Sequence, residues 1–289
     1  MSSPVRYCGR DFRESDLEVI RHLTKTLPTR QAISIALCEQ LGWYRPDGRT
    51  KDMSARVALL RMYKDGLIEL PPPRGKNNNG NIPRYSSPSL ELPFVFPDTL
   101  SALGGVELVL VDTKALSRYW RELISSYHYL GYVPFAGAQL RYLIKSASGT
   151  LGALGFAASA WTCAPRDSFI GWDSEARKAN LHLIVGNARF LILPQVRIKN
   201  LASHVLSQAT RCLAKDWQTA YGYQPVLLET FVETGRFTGA SYRAANWIYV
   251  GQTKGRGKLD RCNQNALPVK DIYLYPLCRT YRQILTSTP

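Results

Sequence analysis

Apolar residues first recur along this chain at helical spacing. Leu17, Ile20 and Leu23 follow Asp16, and Thr29 is placed to cap a second run with Ile33, Ile35, Ala36 and Leu41, which Gly42 ends. After a polar turn over 45–50, a third helix is predicted over 51–65. It sets Met53, Val57, Leu60 and Met62 among Arg56, Arg61 and Lys64, with Gly66 as its C-terminal cap. Leu67, Ile68 and Leu70 then read as a short strand, 71–84 as a Gly/Asn loop, and the chain from Ile82 onward as its return.

From Val106 the pattern alternates between the two periods. Strands are predicted over 106–112, 140–144 and 151–158, with one or two more across 181–185 and 190–193; a helix is predicted over 115–127. The clearest helix carries Leu201, Ala202, Val205, Leu206, Ala209, Leu213, Trp217 and Ala220 as a stripe at the 3.6 period, and Gly222 stops it. Val226, Leu227 and Leu228 then lead as a strand into Glu229, and Tyr242 and Asn246 fall on one face of a short helix. Interleaved helices and strands indicate an α/β or α+β class. The proline-rich, weakly periodic stretch 86–103 divides the chain into 1–85 and 104–289.

Composition adds a partner. The 289 residues suffice for two cores, and a formal charge of +15, spread over both halves, favours a polyanion, DNA first. The six cysteines show neither a zinc-site spacing nor a disulfide framework. The N-terminus lacks the apolar core of a signal peptide, and no apolar run approaches the roughly 18 residues of a membrane span. A cytoplasmic location without membrane contact is therefore expected.

Three helices followed by a strand, loop and strand resemble the winged helix-turn-helix. On that resemblance 51–65 is the recognition helix. Arg49, Lys51, Ser54, Arg56 and Arg61 contact phosphates and base edges, and Arg74, Lys76 and Arg84 lie on or near the wing. Farther on, 194–206, PQVRIKNLASHVL, resembles the P-x-x-R-x-K-G turn of the GCN5-related N-acetyltransferase fold. The likeness implies an acyl-CoA pyrophosphate held at a helix N-terminus by Arg197, Lys199, Asn200 and Ala202. Asn200 stands where that family has glycine, as a candidate helix cap instead. An open, splayed pair of central strands would favour such a cofactor, and a filled crevice would not. The same likeness implies that Tyr242 protonates a leaving thiolate.

The segment 237–258, FTGASYRAANWIYVGQTKGRGK, is similar to phage Mom-like DNA-modification proteins through Gly239, Tyr242, Ala244, Asn246, Trp247, Tyr249 and Gly251. Over most of the chain, YHYLG at 127–131, NARFLILPQVRIKNLASHVL, DWQTAYG, LLETFVETGRFTGASYRAANW and GQTKGRGKLDR resemble the DruA family of Druantia anti-phage islands, found also with mobile elements. That resemblance implies a role in defence or mobility, with other proteins of such systems as partners.

Glu229, inside an apolar run near a strand end, is the first candidate acid or base, with Glu233 beside it. His128 suits a proton shuttle or a substrate clamp, and Asn187 and Arg189 suit phosphate or base edges. Lys254, Arg256 and Lys258, spaced by glycines, suit phosphate, and Arg243, Asn246 and Trp247 add to a nucleic-acid surface. Three functions fit these residues. One is a DNA-directed transferase that holds a flipped base on Trp247, Tyr242 or Trp172; another is a non-catalytic DNA-binding subunit. The third is a nuclease or transposase with Mg²⁺ on Asp112, Glu229 and Asp260.

Overall fold

The computed structural model describes residues 4–75, 96–256 and 267–288. The chain forms two units, Met1–Ile82 and Pro83–Pro289.

The first unit opens on a hairpin that the apolar pattern does not announce, β1 (Val5–Tyr7) against β2 (Arg10–Phe12). Its turn holds Cys8 at φ 50° and Gly9 at φ 81°, the double left-handed conformation that suits two-residue hairpins. Helices α1 (Glu14–Thr26), α2 (Arg30–Gln40) and α3 (Asp52–Lys64) follow, and the Thr29 hydroxyl accepts the Ala32 amide at 3.1 Å as the cap of α2. The buried face of α3 is Ala55, Ala58, Leu59 and Met62. Met53, Val57 and Leu60, expected among the apolar positions, are exposed instead. The two alanines explain the rotation, because a face of small side chains lets a helix approach its neighbour closely. The 67–70 segment is not a strand: Gly66 is left-handed and the Leu67 amide returns to Met62 O at 3.0 Å, closing α3 in a Schellman turn. The expected wing, with Lys76 and Arg84, lies outside the described residues, so the described part of this unit is a hairpin and three helices.

The second unit is built on one sheet. Its elements are β3 (Glu107–Leu110), α4 (Lys114–Tyr127), β4 (Gln139–Ser146), β5 (Gly149–Ala158), α5 (Ala164–Ile170), α6 (Ser174–Asn180), β6 (Ile184–Ile192) and α7 (Leu201–Tyr221). After them come β7 (Leu227–Glu233), α8 (Ala240–Ala244), β8 (Ile248–Gln252), β9 (Lys270–Pro276) and α9 (Tyr281–Thr286). The strand order is β3-β4-β5-β6-β7-β9-β8. Neighbours are antiparallel except β6 and β7, which α7 connects in parallel. Tyr142 and Leu154 are cross-strand partners on the face covered by α7, where the Tyr142 hydroxyl meets Asp216 at 2.8 Å. Gly155, next along β5, points to the other face, against Trp120 of α4. None of the helices is long and apolar enough to cross a membrane among the described residues.

The central parallel pair does not stay paired. Its register runs from Ile184 opposite Leu227 to Asn187 opposite Thr230 and stops. Beyond it β6 stays on β5 through Arg189, Phe190, Leu191 and Ile192, while β7 stays on β9 through Phe231, Val232 and Glu233. Each strand follows its outer neighbour, and a gap opens toward their C-terminal ends.

The sheet is tightly built at Gly152, where an added Cβ would lie 2.0 Å from Leu191 O. Gly152→Ala should cost about 1–3 kcal/mol or more, because the obstacle is backbone rather than a movable side chain. Urea unfolding would read this as a lower midpoint at unchanged slope, and an unchanged midpoint would contradict the packing described.

Candidate functional site

The gap between β6 and β7 is occupied by a side chain from α8. Tyr242 is 9% exposed and donates its hydroxyl to Asn187 Oδ1 at 2.7 Å, while Thr230 of β7 donates to Tyr242 Oη at 3.3 Å. Asn187 in turn donates to Gly155 O at 3.2 Å and Arg189 O at 3.1 Å, across the irregularity in the β5–β6 register. The phenol ring stacks on Tyr273 and meets Trp247 and Phe190 edge-on. Burial raises the Tyr242 pKa. Gly239, just before α8, has φ 69°, and a Cβ there would lie 2.3 Å from Tyr273 Oη, so glycine is required for this seat.

This arrangement bears on several expected roles. The hydroxyl of Tyr242 is engaged by protein partners, which suits a wedge rather than an acid facing a thiolate. Trp247 is 4% exposed against Tyr242 and Tyr275, and Trp172 is buried beside the Arg166 guanidinium. The three rings expected to stack on a base are thus all interior. Helix α8 ends at Ala244, and Asn246 lies beyond it, exposed at φ 63°, so Tyr242 and Asn246 do not share a helical face. Arg243 is held by Thr238 O at 2.8 Å and Tyr273 Oη at 2.9 Å.

Glu229 points to the opposite face of β7. It is 4% exposed and pairs through Oε2 with Arg166 Nη1 at 2.9 Å, while Oε1 accepts the Ser159 hydroxyl. Arg166, 1% exposed, also donates to Asp167 Oδ1 at 2.8 and 3.0 Å and to Trp161 O at 2.8 Å. Desolvation opposes the Arg166 charge, but Glu229 and Asp167 outweigh it and its pKa is raised. Glu229 is therefore an internal counter-ion. An open depression of about 610 Å³ is lined by Asp167, the other carboxylate bound to Arg166, and by Ser168, Trp172 and Arg177, among others. Among the described residues no three His, Cys, Asp or Glu side chains gather as metal ligands, and Asp260 of the carboxylate set lies outside them.

At the start of α7, Asn200 takes φ 64° and its side chain makes no capping hydrogen bond, contrary to the capping expectation. Arg197, Lys199 and Asn200 are exposed and Ala202 is half-buried. Two cations and the free amides of a 21-residue helix could hold a diphosphate. The Tyr242 wedge, however, fills the divergence that the rest of an acyl-CoA would need. The residues present do not fit that cofactor with Tyr242 as its acid.

Over the open end of the gap lies a group that sequence reading only half found. His128 stacks on Tyr129 at 4.9 Å, Tyr129 meets Phe237 at 5.3 Å, and the Arg236 guanidinium lies 4.8 Å from the Tyr129 ring. Arg189 donates to Gly131 O at 3.3 Å and lies against Phe135. Tyr129, Phe237 and Arg236 are exposed, and Glu233 stands 3.6 Å from Arg236. Burial first and the nearby Arg189 charge second lower the His128 pKa to about 4, so the ring is neutral at neutral pH. Its Nδ1 accepts the Leu130 amide at 3.2 Å, which puts the ring proton on Nε2. His128 thus offers a donor, which suits the clamp and not the proton acceptor.

The remaining expected contacts are dispersed. Arg49, Arg61 and Arg74 are exposed, Lys51 is half-buried, and Arg56 is tied to Asp52 at 2.5 Å. Lys254 and Arg256 are exposed, and Lys258 lies outside the described residues.

A depressed His128 pKa has a stability consequence. Between about 4 and its ordinary value of 6.5 the unfolded chain takes up a proton that the folded chain refuses. Stability is full above pH 6.5 and falls toward pH 4, by on the order of 3 kcal/mol from this group. Urea unfolding at the two ends of that range should show a smaller loss in His128→Gln than in the parent. Equal losses would exclude His128 as the source.

The family model described as Druantia protein DruA matches residues 62–267. No curated protein matches the chain. Solved structures similar to part of it include a probable acetyltransferase from Staphylococcus epidermidis, 9% identical over 60% of this chain and 99% of that one, TM-score 0.38. A probable GNAT-family acetyltransferase from Chromobacterium violaceum is 13% identical over 66% of this chain and 93% of that one, TM-score 0.35. An aminoglycoside acetyltransferase in complex with coenzyme A is 9% identical over 61% of this chain and 98% of that one, TM-score 0.39. With a family match that takes in α7, the splayed strands and the His128 loop, the chain belongs to the DruA family.

Proposed function

We propose that this DruA-family chain is a nucleic-acid-binding component of an anti-phage defence or mobile-element system, and that its second unit engages DNA at the open end of the splayed strands. The observation that carries this reading is the exposed Tyr129 and Phe237 pair, with Arg236, Arg189 and the His128 ring beside it. Exposed rings offer stacking to any base, and neighbouring guanidiniums and an N–H donor suit phosphate and base acceptors. The formal charge of +15 supports the same partner. In the first unit, the solvent face of α3 combines Met53, Val57 and Leu60 with Arg61, an apolar and cationic pairing suited to thymine methyls and guanine edges in a major groove.

Whether a base is also modified is the finer question. Tyr242 and Glu229 are committed to internal partners and His128 is a donor, which favours binding without chemistry by these three groups.

Tyr129→Ala and Phe237→Ala should each weaken single-stranded DNA binding by about 1–3 kcal/mol per lost stack, with little change in thermal stability. Fluorescence anisotropy with labelled oligonucleotides of mixed sequence reads this, and unchanged affinity in both variants would remove the proposed surface. Nucleoside mass spectrometry of DNA from cells with and without the protein separates the two finer readings. A new modified nucleoside would establish chemistry, and identical profiles would support binding alone.

A further inference from the structure

The two guanidiniums at the open end of the splayed strands differ in how their charge is met. Arg236 is exposed, lies 4.8 Å over the Tyr129 ring and has Glu233 3.6 Å from its Nε, so it already has a counter-ion. Arg189 is half-buried, and no ion pair reaches it among the described residues. Its partners are two carbonyl oxygens, Ala188 O at 2.7 Å from Nη1 and Gly131 O at 3.3 Å from Nε, and the face of Phe135 at 5.7 Å. Burial works against this cation, and Tyr129 eases it. A guanidinium carries five N–H donors. Those of Nη2 have no protein acceptor among the described residues, and the atom is not enclosed, so this edge is open to solvent.

The turn that anchors Arg189 also sets His128. The Gly131 amide donates to His128 O at 2.7 Å, closing a four-residue turn whose two ends lie together, and Gly131 takes the left-handed φ of 60°. Arg189 binds the carbonyl at one end of this turn, and the imidazole belongs to the other. The Arg189 charge is accordingly felt at the ring. Nδ1 accepts the Leu130 amide, so the ring proton sits on Nε2, which has no protein acceptor among the described residues. An unpaired cation and a neutral donor thus stand beside the exposed Tyr129 and Phe237 rings. A base acceptor would use the donor and leave the charge unmet, whereas phosphate oxygens meet both. A nucleotide brings that anion together with a flat ring for the aromatic pair, which a carboxylate side chain does not.

We propose that Arg189 is the phosphate-binding residue of this surface: its Nη2 edge and the His128 Nε2–H take the oxygens of one backbone phosphate, while bases of the same strand stack on Tyr129 and Phe237. Arg236, engaged by Glu233, serves to hold the Tyr129 ring. The inference rests on the reading that a nucleic-acid strand occupies the open end of the gap, and it divides that surface into a seat for phosphate and a platform for bases.

The test uses the full chain with two probes, single-stranded oligothymidine and a strand of equal length whose sugars carry no bases. Arg189→Gln should weaken oligothymidine binding about tenfold and lower the slope of log affinity against log salt by about 0.7, the share of one phosphate. It should weaken the baseless strand by the same factor. Tyr129→Ala should instead reduce the preference for oligothymidine over the baseless strand, at unchanged slope. His128→Phe, which keeps a ring but no N–H, should weaken both strands, and His128→Gln, which restores an N–H, should recover most of that loss. An unchanged slope in Arg189→Gln, while Tyr129→Ala still weakens binding, would overturn the phosphate seat and leave the stacking surface standing. An Arg189 effect confined to oligothymidine would assign the guanidinium to a base and overturn it too. Unchanged affinity in both variants would remove the whole surface. Should Arg189→Gln fail to fold, the two His128 variants decide, equal affinities for the baseless strand counting against the seat.

Discussion

The second unit depends on one side chain, Tyr242, hydrogen-bonded to two strands that have parted. Where β6 and β7 part, the Tyr242 hydroxyl donates to Asn187 of β6 and accepts from Thr230 of β7, so a single phenol bridges two strands that no longer bond each other. The opening of the sheet is thus stabilised by an aromatic side chain, and Trp247, Tyr273 and Phe190 pack around that side chain. Every polar atom in the bridge has a partner, which is the condition under which a buried polar network adds rigidity rather than cost.

On the opposite face, Arg166 and Glu229 supply a second fixed point. A buried ion pair of this kind contributes little net stability compared with an apolar pair of similar size, yet removing one partner leaves the other uncompensated. Arg166 ties α5 to β7 by way of Glu229, and Ser159, just after β5, joins at the other carboxylate oxygen. Its role is orientation of elements, and it holds Glu229 inside as the strand bridge holds Tyr242 inside on the other face.

Much of the architecture was legible where the apolar period was long. The stripe from Leu201 to Ala220, stopped by Gly222, marked α7 to within a residue, and the apolar runs 140–144 and 151–158 marked β4 and β5. Short elements were not: β1 and β2 have three residues each, too few for a period to show. Helix α3 was found but turned, because Ala55 and Ala58 carry little hydrophobic signal while Met53, Val57 and Leu60 carry much. At the site, charge and aromatic type were visible in His128, Arg189 and Trp247, but exposure was not. Trp247 is inside because Tyr242 needs it as packing; Tyr129 and Phe237 are outside because their loops meet across the gap. Asn200 looked like a loss of glycine, yet it and Asn246 both hold the left-handed backbone that asparagine tolerates best after glycine.

Helix α4 runs without interruption from Lys114 to Tyr127, next to the His128 and Tyr129 pair. Its 14 residues make it about 20 Å long. Its buried face, Ser117, Trp120, Leu123 and Ile124, fixes that rod to the sheet over its whole length. The loop that follows is therefore anchored by the core and not by its own few contacts, and its exposed ring cannot shift without moving the helix behind it.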